Sequence, residues 1–514
     1  MMRSLFSGVA GLRTHQTKMD VIGNNIANVN TVGYKSNNVT FQDLIYQTSS
    51  NASGANNETG RGGINAKQIG LGVSMGAINT AITTPGSSQT TNNPFDIQIG
   101  GDSFFIVNGG GENFFTRAGA FYVDGAGNLA MTSNGFLVQG WQADPTTQEI
   151  RKDTVSPLRV MSPENTNADP EATKESYLKG IVDKNSTQLS SESGLVSSVS
   201  FYDEKGYNYV NKLSLTNYEK TYDTNGKATK GNNLPQGVFR LEISDVVDSA
   251  TNESLVLGED GKPNRNAIDS FFKFANGDTT ATSQGQNAVY LVYDTDSGDY
   301  LGWSTTPPTT PQKADANGNP PAGLNTDKLQ FNVQGGGATV YDKDGNQKTA
   351  TTNVDGFVNF NLAVDTTKMW DNNKTSTLSG KAGDYDGNYA GRKVGKMSGL
   401  SVDQSGKIYA SYDNGTQRIL GQIAVATFEN PSGLEKIGDN MYKETMNSGA
   451  FDGIGMDVTS DGVGKFTTGV LEMSNVDLSA EFTDMITTQR GFQANSRIIT
   501  VSDSMLEELT NLKR

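Results

Sequence analysis

The residues that could do covalent chemistry in this chain are few, and their spacing argues against it. Gly72-Val73-Ser74-Met75-Gly76 has the G-x-S-x-G spacing of a nucleophile elbow. In that motif the Ser sits on a sharp strand-to-helix turn, beside a His that takes its proton. The only histidine is His15, within a stretch patterned as a packing helix. A flexible Gly-rich loop accounts for the segment. Gly462-Val463-Gly464-Lys465 resembles the end of a phosphate loop, but Thr459 stands where its first Gly belongs and Phe466 where Ser or Thr must follow the Lys. Asp294-x-Asp296 and Asp342-x-Asp344-Gly345 begin like calcium loops, yet the position that needs a carboxylate holds Thr305 in one and Asn353 in the other. Hairpin turns explain both runs. The absence of Cys excludes disulfides, thiolate metal sites and Cys nucleophiles. A pair of glycosidase carboxylates is defined by distance in space, so a secreted β-rich glycosidase stays open as an alternative, as does a β-rich adhesin. The expectation is no enzyme, with no catalytic, cofactor-binding or metal-ligating residue and no small-molecule substrate.

Composition narrows the class further. The chain has 514 residues, enough for about three or four domains. Hydrophobic residues make up 34% and Gly numbers 59, which suits loop-rich β domains with much exposed surface. A net charge of −15 argues against nucleic acid or anionic lipid as a partner. No apolar run is long enough to span a bilayer. The start, MMRSLFSGVAGLRTHQ, lacks the continuous apolar core of a cleaved secretion signal. Export, if it occurs, is expected to use an uncleaved signal, and a chain without Cys suits passage through a channel unfolded.

The elements that carry a strong pattern stand at the two ends. In Leu478–Leu512, the residues Leu478, Met485, Phe492, Ile499 and Leu506 fall seven apart, with Phe482 beside them. A seven-residue apolar repeat held that long marks a helix packed along a partner. Asp477 is the expected N-cap, Glu481 and Asp484 sit in the early turns, and Lys513 and Arg514 close the end, in the order that suits the helix dipole. Near the start, Leu5, Leu12, Met19 and Ile26 repeat the same interval, with Val9 and Ile22 beside them. Gly8, Gly11 and Gly23 read as weak points of that helix. Helices of this length are marginal alone in water. The two are expected to pair, with the rest of the chain inserted between them. Gln489 and Ser496 make the C-terminal stripe narrower and more polar than a simple dimer seam needs.

Between the helices the pattern turns to β. Residues 31–80 carry little periodicity and read as a long irregular connector. Short apolar runs over 94–141 are separated by hairpin signals at Gly109–Gly111, Asp124-Gly125 and Asn134-Gly135. The same texture returns over 398–428, with turns at Gly406 and Asn414-Gly415, so the two stretches are expected to build one discontinuous β domain. The Pro- and Gly-rich run over 305–323 reads as an exposed loop. The predicted fold class is mainly β with α-helical termini, as nested discontinuous β domains on a coiled-coil-like terminal helix pair. Its parts are a terminal helical domain of 1–30 with 470–514, an extended connector of 31–85 with 455–469, an inner β domain of 86–157 with 393–454, and an outer region of 158–392 that reads as two nested domains rather than one.

These same residues carry a family resemblance. SLFSGVAGLRTHQTKMDVIGNNIANVNTVGYKS near the start and LEMSNVDLSAEFTDMITTQRGFQANSRIITVSDSMLEELTNLKR at the end resemble the bacterial flagellar rod and hook axial proteins. PFDIQIGGDSFFIV, FFTRAGAFYVD, GFLVQGW and ENPSGLEKIGDNMYKET resemble the inner β domain of that family. The match is strong over 1–47 and 466–514, moderate over 94–141 and 397–455, and weak over 158–392. The large middle insertion favours a hook-type member over the shorter distal rod protein. The resemblance implies a structural subunit that polymerises into a flexible hollow helical tube, a universal joint that transmits torque from rod to filament. It implies self-association, contacts with the distal rod protein, the hook cap protein, the hook-filament junction protein and the flagellar export apparatus, and an extracellular place on the flagellum. The polymer and helix-packing surface is then expected to hold Leu5, Val9, Leu12, Met19, Ile22, Ile26, Leu478, Phe482, Met485, Phe492, Ile499 and Leu506. Some hook proteins are cross-linked through a Cys, a chemistry closed to this chain.

Overall fold

The computed structural model describes residues 2–54, 60–222, 227–276, 287–333, 340–342, 346–348, 357–460 and 463–512. Helices run over Met2–Ala27 (α1), Arg265–Phe271 (α2) and Leu478–Asn511 (α3), and the intervening chain is mainly strand. Two compact units result, one of Met1–Thr166, Met397–Tyr412 and Gln417–Arg514, the other of Asn167–Lys396 with Asp413–Thr416. The first holds both chain ends and the second is inserted into it. Lys513, Arg514, Gly462, Asp344, Gly345 and Asn353, which figured in the sequence motifs, lie outside the described residues.

In the first unit the outgoing strands are β1 (Asn37–Asp43), β2 (Tyr46–Ser50), β3 (Lys67–Gly70), β4 (Val73–Thr80), β5 (Ser88–Thr90), β6 (Ile97–Gly100), β7 (Phe104–Gly109), β8 (Glu112–Thr116), β9 (Phe121–Val123), β10 (Leu129–Met131) and β11 (Leu137–Gln142). The returning chain threads its strands among them. Across the main sheet the order includes Lys407–Tyr412, Gln417–Ile423, β11, β7, β8, Met441–Lys443 and Glu435–Gly438. Gly140 pairs with Ile423, and Met441 with Thr116, both antiparallel. The β7–β8 turn uses Gly110 and Gly111 at φ +66° and +91°, a region that side chains disfavour. Side chains alternate along β7. Phe104 and Ile106 join Phe115, Trp141, Ala424 and Tyr442 in one core, while Phe105 turns to the other face against Phe121 and Phe466. This discontinuous β domain thus closes only when the returning chain arrives.

Among its described residues, the stretch read as an irregular connector carries paired strands. β1 pairs with β4 in antiparallel register from Asn37↔Thr80 to Asp43↔Val73, and β2 pairs with β3 from Tyr46↔Gly70. The connector is a two-stranded ribbon. It escaped the sequence reading because β2 and β3 are exposed throughout, and β1 with β4 buries only Val39, so the apolar alternation is too short to stand out. Ser74 lies within β4, its Oγ 3.5 Å from the Gln42 carbonyl, and not on an elbow. Likewise Lys465 opens a strand that pairs with β6, where a phosphate loop requires a helix.

A buried ion cluster knits the N-terminal stretch to the returning chain. Lys35, Arg117 and Glu472 are each at most 1% exposed. Lys35 Nζ donates to Glu472 Oε1 at 2.7 Å and to the Thr84 carbonyl at 2.7 Å. Gly86 N–H donates to the same carboxylate oxygen at 3.0 Å. Arg117 Nε stands 3.7 Å from Oε2, and its Nη1 and Nη2 donate to the Ser103 and Gly101 carbonyls at 2.6 Å each. The Glu472 carbonyl accepts from Gly33 N–H at 2.8 Å. Gly33 has φ +69°, and a Cβ there would lie 2.7 Å from Ala118 N, so only Gly fits where the chain leaves α1. Burial pushes the Lys35 ammonium down, and the Glu472 carboxylate opposes that shift.

The second unit carries two five-stranded sheets. One runs Phe272–Asn276, Leu329–Val333, Phe360–Trp370, Glu175–Asp183, Ser379–Ala382, with Glu175–Asp183 and Phe360–Trp370 parallel. The other is an antiparallel series of Leu195–Tyr202, Asn208–Thr216, Val238–Asp248, Ala288–Tyr293 and Tyr300–Ser304. A continuous core joins Leu178 and Phe360 of the first sheet to Leu213 and Leu291 of the second, with Ile268 and Phe271 of α2. The reading of two nested domains here gives way to one, because both sheets bury their faces in the same core. Asp294 accepts from the N–H groups of Asp296, Ser297 and Ala314, a turn-stabilising role. The run over 305–323 is a loop without strands.

Glu472→Gln is expected to cost about 3–5 kcal/mol in chemical denaturation of the purified chain, since it strands two buried cations. Unchanged stability would show that the cluster does not bind the returning chain to the N-terminal stretch.

Candidate assembly surface

The terminal helices form where local sequence allows and pack where side chains are small. α3 opens at Asp477, whose Oδ1 accepts from Ser479 and Ala480 N–H at 2.8 and 3.3 Å. That is the N-cap read from sequence, and it satisfies two of the free donors of the first turn. α1 runs antiparallel to α3 in one steady register. Ser4 Oγ lies 3.3 Å from Ser502 Oγ. A Cβ on Gly8 would meet Ile499 at 3.2 Å, one on Gly11 would meet Asn495 at 2.7 Å, and one on Gly491 would meet His15 at 2.7 Å. Asn25 Nδ2 donates to Glu481 Oε1 at 2.8 Å, and Asn25 Oδ1 accepts from Asn37 N–H and Tyr34 O–H. Lys18 and Asp484 stand 3.2 Å apart at the surface, a contact worth at most about 1 kcal/mol.

The twelve apolar residues named from sequence divide three ways. Ile22 is buried, and Leu5, Leu12, Met19, Ile26, Met485, Phe492, Ile499 and Leu506 are half-buried. Val9, Leu478 and Phe482 are exposed. Besides Ile22, the buried positions are Gly8, Gly11, Thr14 and Asn25 on α1, and Thr488 and Ser502 on α3. Sequence reasoning treated the glycines as weak points, whereas Gly8, Gly11 and Gly491 are where the helices come closest. Gln489 and Ser496, read as the polar part of the stripe, are exposed; Thr488 and Asn495 hold that place. A signal for the seam was present. Ser4, Gly11, Lys18 and Asn25 repeat at seven, as do Glu481, Thr488, Asn495 and Ser502, in step with the apolar series. Small and polar residues on a heptad fix register, because a slip of seven sets His15 against Ile498 or Asp484 in place of Gly491.

His15 sits at the centre of this seam. Its Nδ1 is buried without a hydrogen-bond partner, and its ring meets Phe41 of β1 edge-on at 5.7 Å. Burial first, then the Lys18 ammonium, pushes the imidazole below its ordinary value of 6.5. The folded pair therefore disfavours the proton. The neutral ring contributes stability above pH 6.5, and that contribution is lost as the pH falls below it.

Helix-band circular dichroism of the whole chain tests these contacts. Melting of the pair is expected to fall on acidification through pH 6.5, and His15→Gln should flatten that dependence. Gly11→Leu should weaken the pair by about 1–3 kcal/mol through overpacking. Gly23→Ala, where nothing lies within 4 Å of the added methyl, should strengthen α1 by about 0.5–1 kcal/mol. Equal effects at the two glycines would contradict the seam.

Comparison with known proteins assigns the same regions. Residues 5–35 match the family "Flagella basal body rod protein", 98–170 match "Flagellar hook protein FlgE/F/G D1 domain", and 467–512 match "Flagellar basal body rod FlgEFG protein C-terminal". The flagellar hook protein FlgE of Treponema pallidum is 35% identical over 518 residues, covering all of both chains. That of Borreliella burgdorferi is 35% identical over 514 residues, again covering all of both. The flagellar basal-body rod protein FlgG of Bacillus subtilis is 26% identical over 514 residues, with full coverage of each. The three family matches fall on α1, on the β6–β11 region and on α3 with its preceding strands, and the full-length identity joins them: the chain belongs to the flagellar hook protein FlgE family.

Proposed function

We propose that this chain, a structural subunit of the flagellar hook, assembles through its terminal helices into a curved hollow tube that bends while transmitting torque. The observation that carries this reading is the seam itself. α1 and α3 hold each other through glycines and small polar residues, which leaves Val9, Leu478 and Phe482 apolar and exposed on the outer faces of the pair. Burying such side chains contributes roughly 1.5–3 kcal/mol each, and other copies of the chain can supply that burial. The half-buried Leu5, Leu12, Met19, Ile26, Met485, Phe492, Ile499 and Leu506, with Ile22, shape the wall those copies meet. Bending requires interfaces that slide, which a polar, Gly-rich outer surface suits.

Catalysis has no part in this role. The further partners are the distal rod protein below, the hook cap protein during growth, the hook-filament junction protein above, and the export apparatus. The chain works outside the cell, exported by way of an uncleaved signal.

Removal of residues 1–30 is expected to leave a soluble β fold that forms no tubes under salting-out conditions in the electron microscope. Phe492→Asp should likewise block assembly with little effect on the β units. Normal tubes from the truncated chain would overturn the terminal-helix reading.

A further inference from the structure

A groove of about 600 Å³ lies between α1 and the ribbon, lined by Phe6, Val9, Leu44, Ile45 and Met75. Arg3 and Arg13 also line it, and among the described residues neither has an ion-pair partner. Phe6 is 68% exposed and Ile45 63%, a large apolar surface to leave in water. α3 holds a matching feature. Leu478, Phe482 and Ile486, spaced four apart and exposed, line one face of its first turns. The charges are complementary. Arg3 and Arg13 stand at the groove with no acid in α1 before Asp20, whereas α3 begins with Asp477, Glu481 and Asp484, the last paired with Lys18 of its own chain, and has no base before Arg490.

The antiparallel register sets these two features at opposite ends of the pair. Ser4 lies beside Ser502, and Asn25 beside Glu481. The apolar part of the groove at Phe6 and Val9 therefore sits beside the far end of its own α3, away from Leu478 and Phe482 of that helix. We propose that the groove receives the Leu478-Phe482-Ile486 stripe of a second copy, basic end on acidic end. Two different surfaces of one chain then meet head to tail, a contact that does not close on itself and generates an open helical array. Opposite charges at the two ends orient the encounter and disfavour stacking end to like end. This inference rests on the tube-forming reading above and assigns its axial contact.

The chain has no Cys, so introduced thiols are the only ones present. Val9→Cys with Phe482→Cys in one chain, assembled by salting out and treated with a short bismaleimide, should give a ladder of covalent oligomers. Each single variant should give none. All these positions are exposed, so folding is spared. Tubes without the Val9–Phe482 ladder would overturn the groove assignment and leave the tube reading standing. No tubes from the unsubstituted chain would overturn both.

Discussion

The close approach of α1 and α3 is the constraint from which the rest of this molecule follows. Two helices meet this tightly only where a side chain is missing, and Gly8, Gly11 and Gly491 supply the gaps that Ile499, Asn495 and His15 fill. Gly in a helix costs up to about 1 kcal/mol relative to Ala. That cost is offset where the bare backbone gains a neighbour. Because the contact joins the two chain ends, every strand between them must leave the pair and come back to it. The interleaved sheet, in which β7, β8 and β11 lie among Gln417–Ile423 and Met441–Lys443, is that return made visible.

The buried Lys35–Glu472–Arg117 cluster extends the constraint outward. Glu472 ends the last strand before α3, Lys35 lies just after α1, and Arg117 belongs to the inner β domain. One carboxylate thus reads three separate parts of the chain. A buried ion pair adds little net stability compared with packed hydrocarbon, but it penalises any arrangement that leaves a charge unmatched. We read the cluster as a lock on the angle at which the helix pair leaves the β domain. A joint that carries torque needs that angle held in every copy.

Much of this was legible in the sequence, and the misses share a physical origin. The N-cap at Asp477, the hairpins near Gly109–Gly111 and the discontinuous β domain each rest on short-range signals that tertiary context left intact. The ribbon of β1–β4 stayed hidden because it buries little beyond Val39, and a strand with so short a buried face has no period to read. The inner series stands one residue before the apolar heptad on α1 and three residues after it on α3. Apolar heptads marked where the seam had to be near, but apart from Ile22 the innermost places went to Gly, Thr, Asn and Ser, residues a hydrophobic pattern ignores. In the inserted unit, alternation identified strands without showing that both sheets share one core, since that depends on contacts far apart in sequence.

The central claim is that each chain supplies both helices of a pair, and that copies meet on the faces this pairing leaves free. Electron cryo-microscopy of tubes grown from the unmodified chain tests it at side-chain detail. The account predicts an inner wall of antiparallel pairs, each from a single chain, with Gly11 against Asn495 and with Phe482 covered by another copy. Helices that part from each other and pair between chains, or an inner wall that leaves Phe482 in water, would contradict it.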